Sequence, residues 1–347
     1  MAVTGTKAIA TRRNSRPRIP MPESLCAHAF RGQHGLQSLT LGKVLRSWER
    51  AEMGAIESLG VIGVGTMGEP ICVNLARKCG LPVYAVDRRP EPLRRLAADG
   101  VAPCASLAEL ASRTDLVFLS LPSGREVEAL CLGAGGIAAI RGRIRLVVDC
   151  GTSPVALTRR IAARLAAVGI DFADAPVART REAAQQGRLS IMVGASPELF
   201  ERVSPYLLAF GTDITHCGPV GSGQAVKILN NMVLFETVGA LAEALAIGRR
   251  AGLDERLLLE ALSKGSADSF ALRNHGMKAM LPRDFPENAF AADYALKDLS
   301  YALELARDGG VAVAGAELAG ARLAEAIRRG HGRRYWPVLL KVVAGEE

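Results

Sequence analysis

The sequence predicts an α/β protein: a doubly wound, mostly parallel sheet followed by an all-α C-terminal domain, with a long helix joining the two. Two observations predict this architecture. Short apolar runs alternate with helix-length segments from residue 57 to residue 218, and strand patterns cease after Gly223. Alternation is typical of a parallel sheet covered on both faces, whereas uninterrupted helical periodicity is typical of a separate helical domain. We therefore expect domains at residues 57–218 and 219–347.

Residues 1–52 differ in composition from the rest of the chain. They contain nine Lys and Arg residues against three acidic residues, so they hold +6 of the formal net charge of +8. The segment has neither sustained periodicity nor the apolar core of a secretory signal. We predict that it is a disordered or mis-started extension outside the fold, with a transit peptide as the alternative on composition. The remainder is nearly neutral, which argues against a nucleic-acid-binding protein.

Composition also narrows the kinds of site and compartment. The seven cysteines are scattered without a C-x-x-C pair, and the five histidines lack metal-ligand spacing. This pattern is typical of reduced thiols in the cytoplasm rather than of disulfides or a zinc site, so we expect a cytoplasmic protein without a metal. No uninterrupted apolar run reaches the ~18–20 residues that span a bilayer, so we expect no membrane segment. The apolar C-terminal helices predict a homo-dimer or homo-tetramer.

The stretch SLGVIGVGTMGEP (residues 58–70) predicts a buried strand, a glycine turn and a helix. Its three glycines have the G-x-G-x-x-G spacing: the first allows a tight turn, the second lets a pyrophosphate approach the backbone, and the third lets the helix pack on the strand. Backbone N–H groups at the start of that helix would face the phosphates. The sheet is therefore predicted to be of the Rossmann type. The predicted dinucleotide contacts are Gly63, Val64, Gly65, Thr66, Met67 and Gly68.

A second predicted strand, PVYAVD (residues 82–87), ends in Asp87. A carboxylate at this distance from the glycine turn hydrogen-bonds the adenosine ribose hydroxyls and disfavours a 2′-phosphate. NAD is therefore the predicted cofactor. Arg88 and Arg89 follow directly and could accept a 2′-phosphate, so NADP stays open, and Arg88 joins the predicted cofactor contacts.

The alternation then continues to residue 217. We predict strands at 115–122, 146–150, 170–177, 190–195 and 213–217, and helices at 90–99, 154–168 and 197–210. Ligands bind beyond the carboxyl ends of the strands in such sheets. The residues that fall there are Pro122–Ser123, Asp149–Thr152 and Pro176–Arg181.

A long helix over residues 222–250 is predicted to leave the sheet, because this stretch is apolar nearly all round. Gln224, Lys227 and Asn231 lie on one face of it. An ammonium in an apolar helix costs free energy unless it reaches the surface, is paired or serves chemistry. On the residues alone, a snorkelling lysine and a proton donor beside the nucleotide both fit. Further helices are predicted at 254–263, 289–308, 313–329 and 335–343.

Four stretches, in this order, resemble the motifs of the β-hydroxyacid dehydrogenase family, which includes 3-hydroxyisobutyrate dehydrogenase, tartronate semialdehyde reductase and sulfolactaldehyde reductase. They are GVGTMGEPICVNL, DAPV…GRLSIMVG (174–194), GSGQAVKILNN (221–231) and KDL (297–299). The resemblance covers residues 57 to about 343. It implies an NAD-dependent oxidoreductase that interconverts a small 3-hydroxy acid and its aldehyde.

The resemblance also implies a role for each matching residue. Lys227 would be the general acid in aldehyde reduction and the general base in the reverse direction. Asn231 would hold the substrate oxygen, Thr152 would lie between nicotinamide and substrate, and Lys297 would contact the cofactor, as would Leu121 and Pro122. A partly desolvated lysine beside a cationic nicotinamide has its pKa lowered towards neutrality, as this chemistry needs.

The sequence departs from the family where the substrate is bound. Many members continue DAPV as Ser-Gly-Gly, whose backbone N–H groups cradle a carboxylate, but this chain has Ala178, Arg179 and Thr180. A guanidinium is a planar fork for carboxylate, sulfonate or phosphate. We therefore expect Arg179 and Thr180 to bind the end group of a small anionic hydroxy acid, or a sulfonated analogue, or its aldehyde.

Three other readings stay open at this point. An imine reductase generally carries an acid or a tyrosine where Lys227 stands. A 6-phosphogluconate dehydrogenase carries a histidine where Asn230 stands and has a longer helical domain. A non-catalytic dinucleotide-binding module on the same fold would be expected to lose the lysine, which this chain keeps.

Overall fold

A nine-stranded sheet makes up the first half of the computed structural model, which describes residues 55–140, 142–287 and 289–346. The extension predicted over residues 1–52 lies outside the described residues. The strands are β1 (Leu59–Ile62), β2 (Val83–Val86), β3 (Ala102–Pro103), β4 (Leu116–Leu119), β5 (Leu146–Asp149), β6 (Asp171–Asp174), β7 (Val177–Ala178), β8 (Leu189–Gly194) and β9 (Gly211–Gly218).

Six of these strands form a parallel sheet in the order β3-β2-β1-β4-β5-β6. This is the order of a doubly wound dinucleotide-binding sheet, whose ligand lies where the winding reverses, between β1 and β4. Strands β1, β4 and β5 are buried along their whole length, as expected when helices cover both faces. The predicted fold class is confirmed.

Seven helices accompany the sheet within the residues that the structure describes. They are α1 (Gly68–Lys78), α2 (Pro90–Ala97), α3 (Leu107–Arg113), α4 (Gly124–Leu132), α5 (Val155–Ala166), α6 (Arg181–Gln185) and α7 (Pro197–Leu207). Helices α3 and α4 are not among the helices predicted from the sequence. Each begins at a serine N-cap, Ser106 or Ser123, whose hydroxyl accepts a hydrogen bond from a backbone N–H of the first turn.

The strand predicted at residues 170–177 is two strands, and the far edge of the sheet is mixed rather than parallel. Strand β6 ends at Asp174, and Pro176 then interrupts the ladder because proline has no N–H to donate. Strands β6 and β7 both pair antiparallel with β8, and β9 pairs parallel with β8. The loop between β7 and α6, which carries Arg179 and Thr180, follows from this arrangement.

The chain after Gly218 is helical, as predicted, and α8 has the predicted bounds. The elements are α8 (Ser222–Arg250), α9 (Glu255–Leu262), a π-type segment (Leu272–Met280), α10 (Ala292–Asp308), α11 (Ala314–Ala326), a second π-type segment (Ile327–His331), a 3-10 turn (Trp336–Val338) and α12 (Leu339–Ala344). Phe235 of α8 stacks edge-on against Trp336 with ring centroids 4.7 Å apart, in a core that α10 and α11 complete.

By length and composition, α8 is the one described helix that is apolar enough to cross a membrane; 44% of its most apolar window is buried inside the structure. Central helices of soluble proteins share these properties, so the helix is weak evidence for a membrane span. Its exposed apolar residues, Val226, Leu229, Val233 and Ile247, lie on one face. The predicted homo-oligomer agrees with such a face and stays a prediction.

Candidate active site

The glycine turn between β1 and α1 has the geometry that a dinucleotide pyrophosphate needs. Gly63 has φ +87°, and a Cβ on it would collide with the carbonyl of Ser120. A Cβ on Gly68 would collide with the carbonyl of Gly63, so only glycine lets the helix lie this close to the strand. At Gly65 an added Cβ would meet only an Arg89 nitrogen, at 3.7 Å. The turn therefore leaves an open backbone face at its second glycine, and it fits the predicted cofactor.

Asp87 holds this turn from the end of β2. Its Oδ2 accepts a hydrogen bond from the Val64 N–H at 2.8 Å, and its Oδ1 accepts one from the Arg89 N–H, also at 2.8 Å. Burial alone would raise the pKa of Asp87, but these backbone hydrogen bonds and the Arg89 charge bring that pKa below its usual value. The ionised carboxylate keeps lone pairs for ribose hydroxyls. Arg89, rather than the predicted Arg88, lies beside Gly65.

A polar cluster joins the helical domain to the end of β4. In α8 Asn231 donates from Nδ2 to Oδ2 of Asp298 in α10 at 2.8 Å. The other carboxylate oxygen of Asp298 lies 3.0 Å from Nζ of Lys297, which donates to the carbonyl of Pro122 at 2.7 Å. The structure thus brings together predicted residues that are up to 175 positions apart in sequence.

Lys227 lies one helical turn before Asn231 and belongs to the same cluster. Desolvation by the surrounding protein lowers the pKa of its ammonium, and the nearby charge of Lys297 lowers it further, while Asp298 opposes both. The residue is half-buried. An amine whose pKa is lowered, at a junction between domains, is suited to proton transfer.

Thr152 reaches this cluster through a buried network that the sequence analysis missed. Gln224, one turn before Lys227, accepts a hydrogen bond from Ser153 N at 3.0 Å and donates one to Gly151 O at 3.0 Å. A Cβ on Gly151 would lie 3.1 Å from the carbonyl of Leu121. The loops after β4 and β5 therefore lie side by side, next to the first turn of α8.

Two buried carboxylates complete the network. Asp149 accepts from the Ser153 hydroxyl at 2.9 Å and from Gly151 N at 2.9 Å. Asp174 accepts from the backbone N–H groups of Gly221 at 2.7 Å and Gln224 at 2.8 Å, which are otherwise unpaired at the start of α8. Burial raises the pKa of each carboxyl to about 6. Their only sequence signal was their position at the carboxyl ends of β5 and β6.

The structure gives Arg179 partners other than a substrate. Its guanidinium lies 2.7 Å from Oδ2 of Asp213, and it donates to the Arg188 carbonyl at 2.7 Å and to the Thr212 hydroxyl at 3.0 Å. These partners lie at the start of β8 and β9, whereas the first turn of α8 contacts the end of β8. The two ends are about 16 Å apart at the usual rise per residue. The guanidinium is thus engaged by Asp213, Arg188 and Thr212, and the expectation that it binds substrate stays a prediction.

Thr180 is likewise engaged by its own helix. It is the N-cap of α6, and its hydroxyl accepts a hydrogen bond from Ala183 N at 3.3 Å. A hydroxyl that caps a helix is directed at the backbone N–H groups of the first turn rather than at a ligand. Of the predicted substrate residues, the structure brings Asn231 and Thr152 to the cluster around Lys227, and it does not bring the side chains of Arg179 and Thr180 there.

Comparison with known proteins agrees with this geometry. A family model described as the NAD binding domain of 6-phosphogluconate dehydrogenase matches residues 58–218, and one described as NAD-binding of NADP-dependent 3-hydroxyisobutyrate dehydrogenase matches residues 221–341. A 2-(hydroxymethyl)glutarate dehydrogenase of Eubacterium barkeri is 37% identical over 253 residues, which is 73% of this chain and 83% of the relative. The chain belongs to the β-hydroxyacid dehydrogenase family. As a member of this family it is an oxidoreductase that acts on CH–OH groups with a nicotinamide dinucleotide.

Other family members are similar over nearly their whole length. An L-threonate dehydrogenase of Cupriavidus necator is 32% identical over 291 residues, 84% of this chain and 97% of the relative. A solved structure of 3-hydroxyisobutyrate dehydrogenase from Mycobacterium tuberculosis with L-serine has a TM-score of 0.74 and 27% identity, and it covers 83% of this chain and 99% of that one. Both the Rossmann-type domain and the helical domain are therefore those of this dehydrogenase family.

Proposed function

We propose that this β-hydroxyacid dehydrogenase interconverts a small anionic 3-hydroxy acid, or a sulfonated analogue, with its aldehyde, that it prefers NAD, and that Lys227 moves the proton. The observation that carries the proposal is the cluster at the domain junction. There an amine of lowered pKa lies beside an asparagine that Asp298 holds in place, next to the loops after β4 and β5.

The cofactor fits the residues present. The glycine turn would hold the pyrophosphate and Asp87 the ribose, while Leu121, Pro122, Thr152 and Lys297 would surround the other end of the dinucleotide. When bound, the nicotinamide accepts or supplies the hydride. Lys297 is already oriented by Asp298 and by the carbonyl of Pro122. We propose that it ties α10 to the loop after β4 and so limits the width of the cleft.

Lys227 would carry the proton at Nζ. In the oxidation direction its neutral amine accepts the proton of the substrate hydroxyl, and in the reduction direction its ammonium returns a proton to the developing alkoxide. Asn231 uses one N–H of Nδ2 for Asp298, and its Oδ1 accepts from Asn230 at 3.2 Å. The second N–H of Nδ2 remains available for the substrate oxygen.

The anionic substrate is supported by the charges of the site and by the relatives. Lys297 and the protonated form of Lys227 are both cations at the junction, and Asp298 is the acidic residue whose charge acts on both. The relatives are named for 2-(hydroxymethyl)glutarate, L-threonate and 3-hydroxyisobutyrate, which are all carboxylates. A carboxylate opposite two partly desolvated cations gains more than it would in water.

A substrate panel tests the proposal. Initial rates with 3-hydroxyisobutyrate, glycerate, tartronate semialdehyde, 4-hydroxybutyrate and sulfolactaldehyde should reveal at least one good substrate. Matched neutral compounds, in which the acid is replaced by its amide, serve as controls. We expect the amides to lose roughly tenfold to a hundredfold in kcat/KM, as for loss of a hydrogen bond to a charged group. Equal kcat/KM for an acid and its amide would contradict the anionic substrate.

A further inference from the structure

The side chain of Gln224 makes a two-point contact with the backbone on either side of Thr152. Its Oε1 accepts from Ser153 N at 3.0 Å, and its Nε2 donates to Gly151 O at 3.0 Å. The residue is fully buried. A primary amide is the side-chain group that offers an acceptor and a donor side by side, as a backbone strand does. Gln224 therefore pairs with the turn at residues 151–153 in the way one peptide unit pairs with another.

Gln224 itself is fixed at its other end. Its backbone N–H donates to Oδ2 of Asp174 at 2.8 Å, and its Nε2 also lies 3.4 Å from Oδ2 of Asp149. Asp149 in turn accepts from the backbone of Gly151 and the hydroxyl of Ser153. The contacts of Gln224 join the first turn of α8 to the carboxyl ends of β5 and β6, and those of Asp149 hold the loop after β5. The turn that carries Thr152 is therefore fixed relative to α8 by hydrogen bonds.

Lys227 is three residues after Gln224 on the same face of α8. Residues at this spacing on a helix have their Cβ atoms about 5–6 Å apart, so the amide and the amine are neighbours on a rigid element. From these contacts we infer that Gln224 is a positioning residue for the reaction: it sets the distance between Thr152 and Lys227, and so between the group beside the nicotinamide and the group that moves the proton. The inference rests on the proposed role of Lys227.

This arrangement has a chemical purpose. Hydride and proton leave or reach the two atoms of one C–O bond, so the group that orients the cofactor and the group that holds the proton must keep a fixed separation. Misplacement by about 1 Å costs roughly a hundredfold in rate when the reacting groups must be aligned. A hydrogen-bonded amide inside the protein fixes that separation better than apolar packing would, because its two bonds are directional.

The substitution Gln224→Met tests the inference, because methionine has nearly the same length and cannot make either bond. We expect kcat to fall by roughly 10–100-fold. The dissociation constant for NAD should change little, and so should the pH midpoint of kcat, since Lys297 and Asp298 surround Lys227 and remain in place. A merely structural role would reduce the amount of folded enzyme and leave kcat per folded molecule unchanged. Gln186→Met, at an exposed glutamine bonded to Glu182, is the matched control.

A second variant, Gln224→Glu, keeps the experiment decisive if the methionine variant does not fold. A carboxylate still accepts from Ser153 N, but it donates to Gly151 O only when it is protonated. Burial beside Asp149 raises the pKa of such a carboxyl. The ratio of variant to wild-type kcat should therefore rise as pH falls.

Two outcomes would overturn the inference: a ratio for Gln224→Glu that is independent of pH, or a kcat within twofold of wild type for Gln224→Met. If Lys227→Ala also kept its turnover, the proposed function itself would fail, so the two failures are distinguishable.

Discussion

The guanidinium of Arg179 and the carboxylate of Asp213 form an ion pair at 2.7 Å, which joins the loop after β7 to the start of β9. Arg179 also has φ +88°, a backbone region in which glycine is favoured. Many family members have glycine at this position. The arginine therefore adopts a conformation that glycine adopts readily, and its side chain ties the loop to the start of β9. This explains why a charged residue is tolerated at a position that other members fill with glycine.

The effect of substitutions at Arg179 on stability should depend on whether the new residue tolerates a positive φ rather than on its charge. Arg179→Gly loses an ion pair whose two side chains are 38% and 57% exposed, and it relieves a strained φ. The two effects have opposite signs and each amounts to about 1 kcal/mol. Stability and kcat/KM should therefore stay close to wild type. Arg179→Ala keeps the strain and loses the ion pair, so it should be the less stable variant by about 1 kcal/mol. Denaturant titration and steady-state kinetics of both variants measure this order.

Asp213→Asn supplies the control for Arg179. Asp213→Asn should slightly lower the free energy of unfolding of the otherwise wild-type protein. In the Arg179→Gly background it should leave that free energy unchanged, because the ion pair is then already absent. Equal and large increases in KM for the glycine and alanine variants would show instead that the guanidinium binds substrate.

How much of this site the sequence predicts depends on whether the signal is local. The glycine turn, Asp87, Lys227 and the bounds of α8 follow from spacing and periodicity within a few turns of chain, and the structure contains them. The partner of Arg179 and the contacts of Gln224 depend on which strand lies next to which. Gln224 and Ser153 are 71 positions apart, and no periodicity reports such a contact. The mixed far edge of the sheet decides where Arg179 lies. It could not be predicted from the sequence, because it too depends on which distant strands pair.

Lys227→Ala should abolish turnover and leave NAD binding intact. Loss of general acid–base help typically lowers kcat by ~10²–10⁴-fold. The cofactor contacts at Gly63–Gly68 and Asp87 belong to the other domain, so the dissociation constant for NAD, measured by titration of NADH fluorescence, should barely change. Lys264→Ala, at an exposed lysine after α9, is the matched control. A near-normal kcat for Lys227→Ala would return this residue to a snorkelling role.

The pH dependence of the reaction should follow the ionisation of Lys227. Oxidation needs the neutral amine, so kcat/KM for the hydroxy acid should rise as pH rises through a pKa below the ordinary lysine value, and reduction should show the reverse limb. Asp298→Asn removes the charge that raises this pKa and keeps an acceptor for Asn231. The midpoint should therefore move to lower pH, as pH–rate profiles would show. A midpoint that moved upward would exclude Lys227 as the titrating group.

The carboxyls of Asp149 and Asp174 should make folding stability depend on pH. Their folded pKa of about 6 lies above the ordinary value, so the protonated form is favoured in the fold. The stability that each contributes is complete below pH ~4 and is lost as pH rises through 6, by roughly 3 kcal/mol at most. Asp174→Asn should be less stable than wild type at pH 5, since it accepts only one of two backbone bonds, and the difference should shrink by pH 8. A difference that widened would show that the ionised carboxylate is the form that caps α8.

The choice between NAD and NADP should depend on Asp87 and Arg89. The carboxylate of Asp87 is ionised and held against the glycine turn, so it repels a 2′-phosphate, and kcat/KM should be higher with NAD. Asp87→Asn removes the charge while its amide oxygen can still accept from Val64 N. The ratio of kcat/KM with NADP to that with NAD should then rise by roughly tenfold to a hundredfold.

In the Asp87→Asn background, Arg89→Ala should lower this ratio again, because Arg89 lies 3.7 Å from the Cβ position of Gly65. Arg88→Ala should change the ratio less. A higher kcat/KM with NADPH in the wild type would contradict the NAD assignment, and a larger effect of Arg88 than of Arg89 would show that the cofactor approaches β2 from the other side.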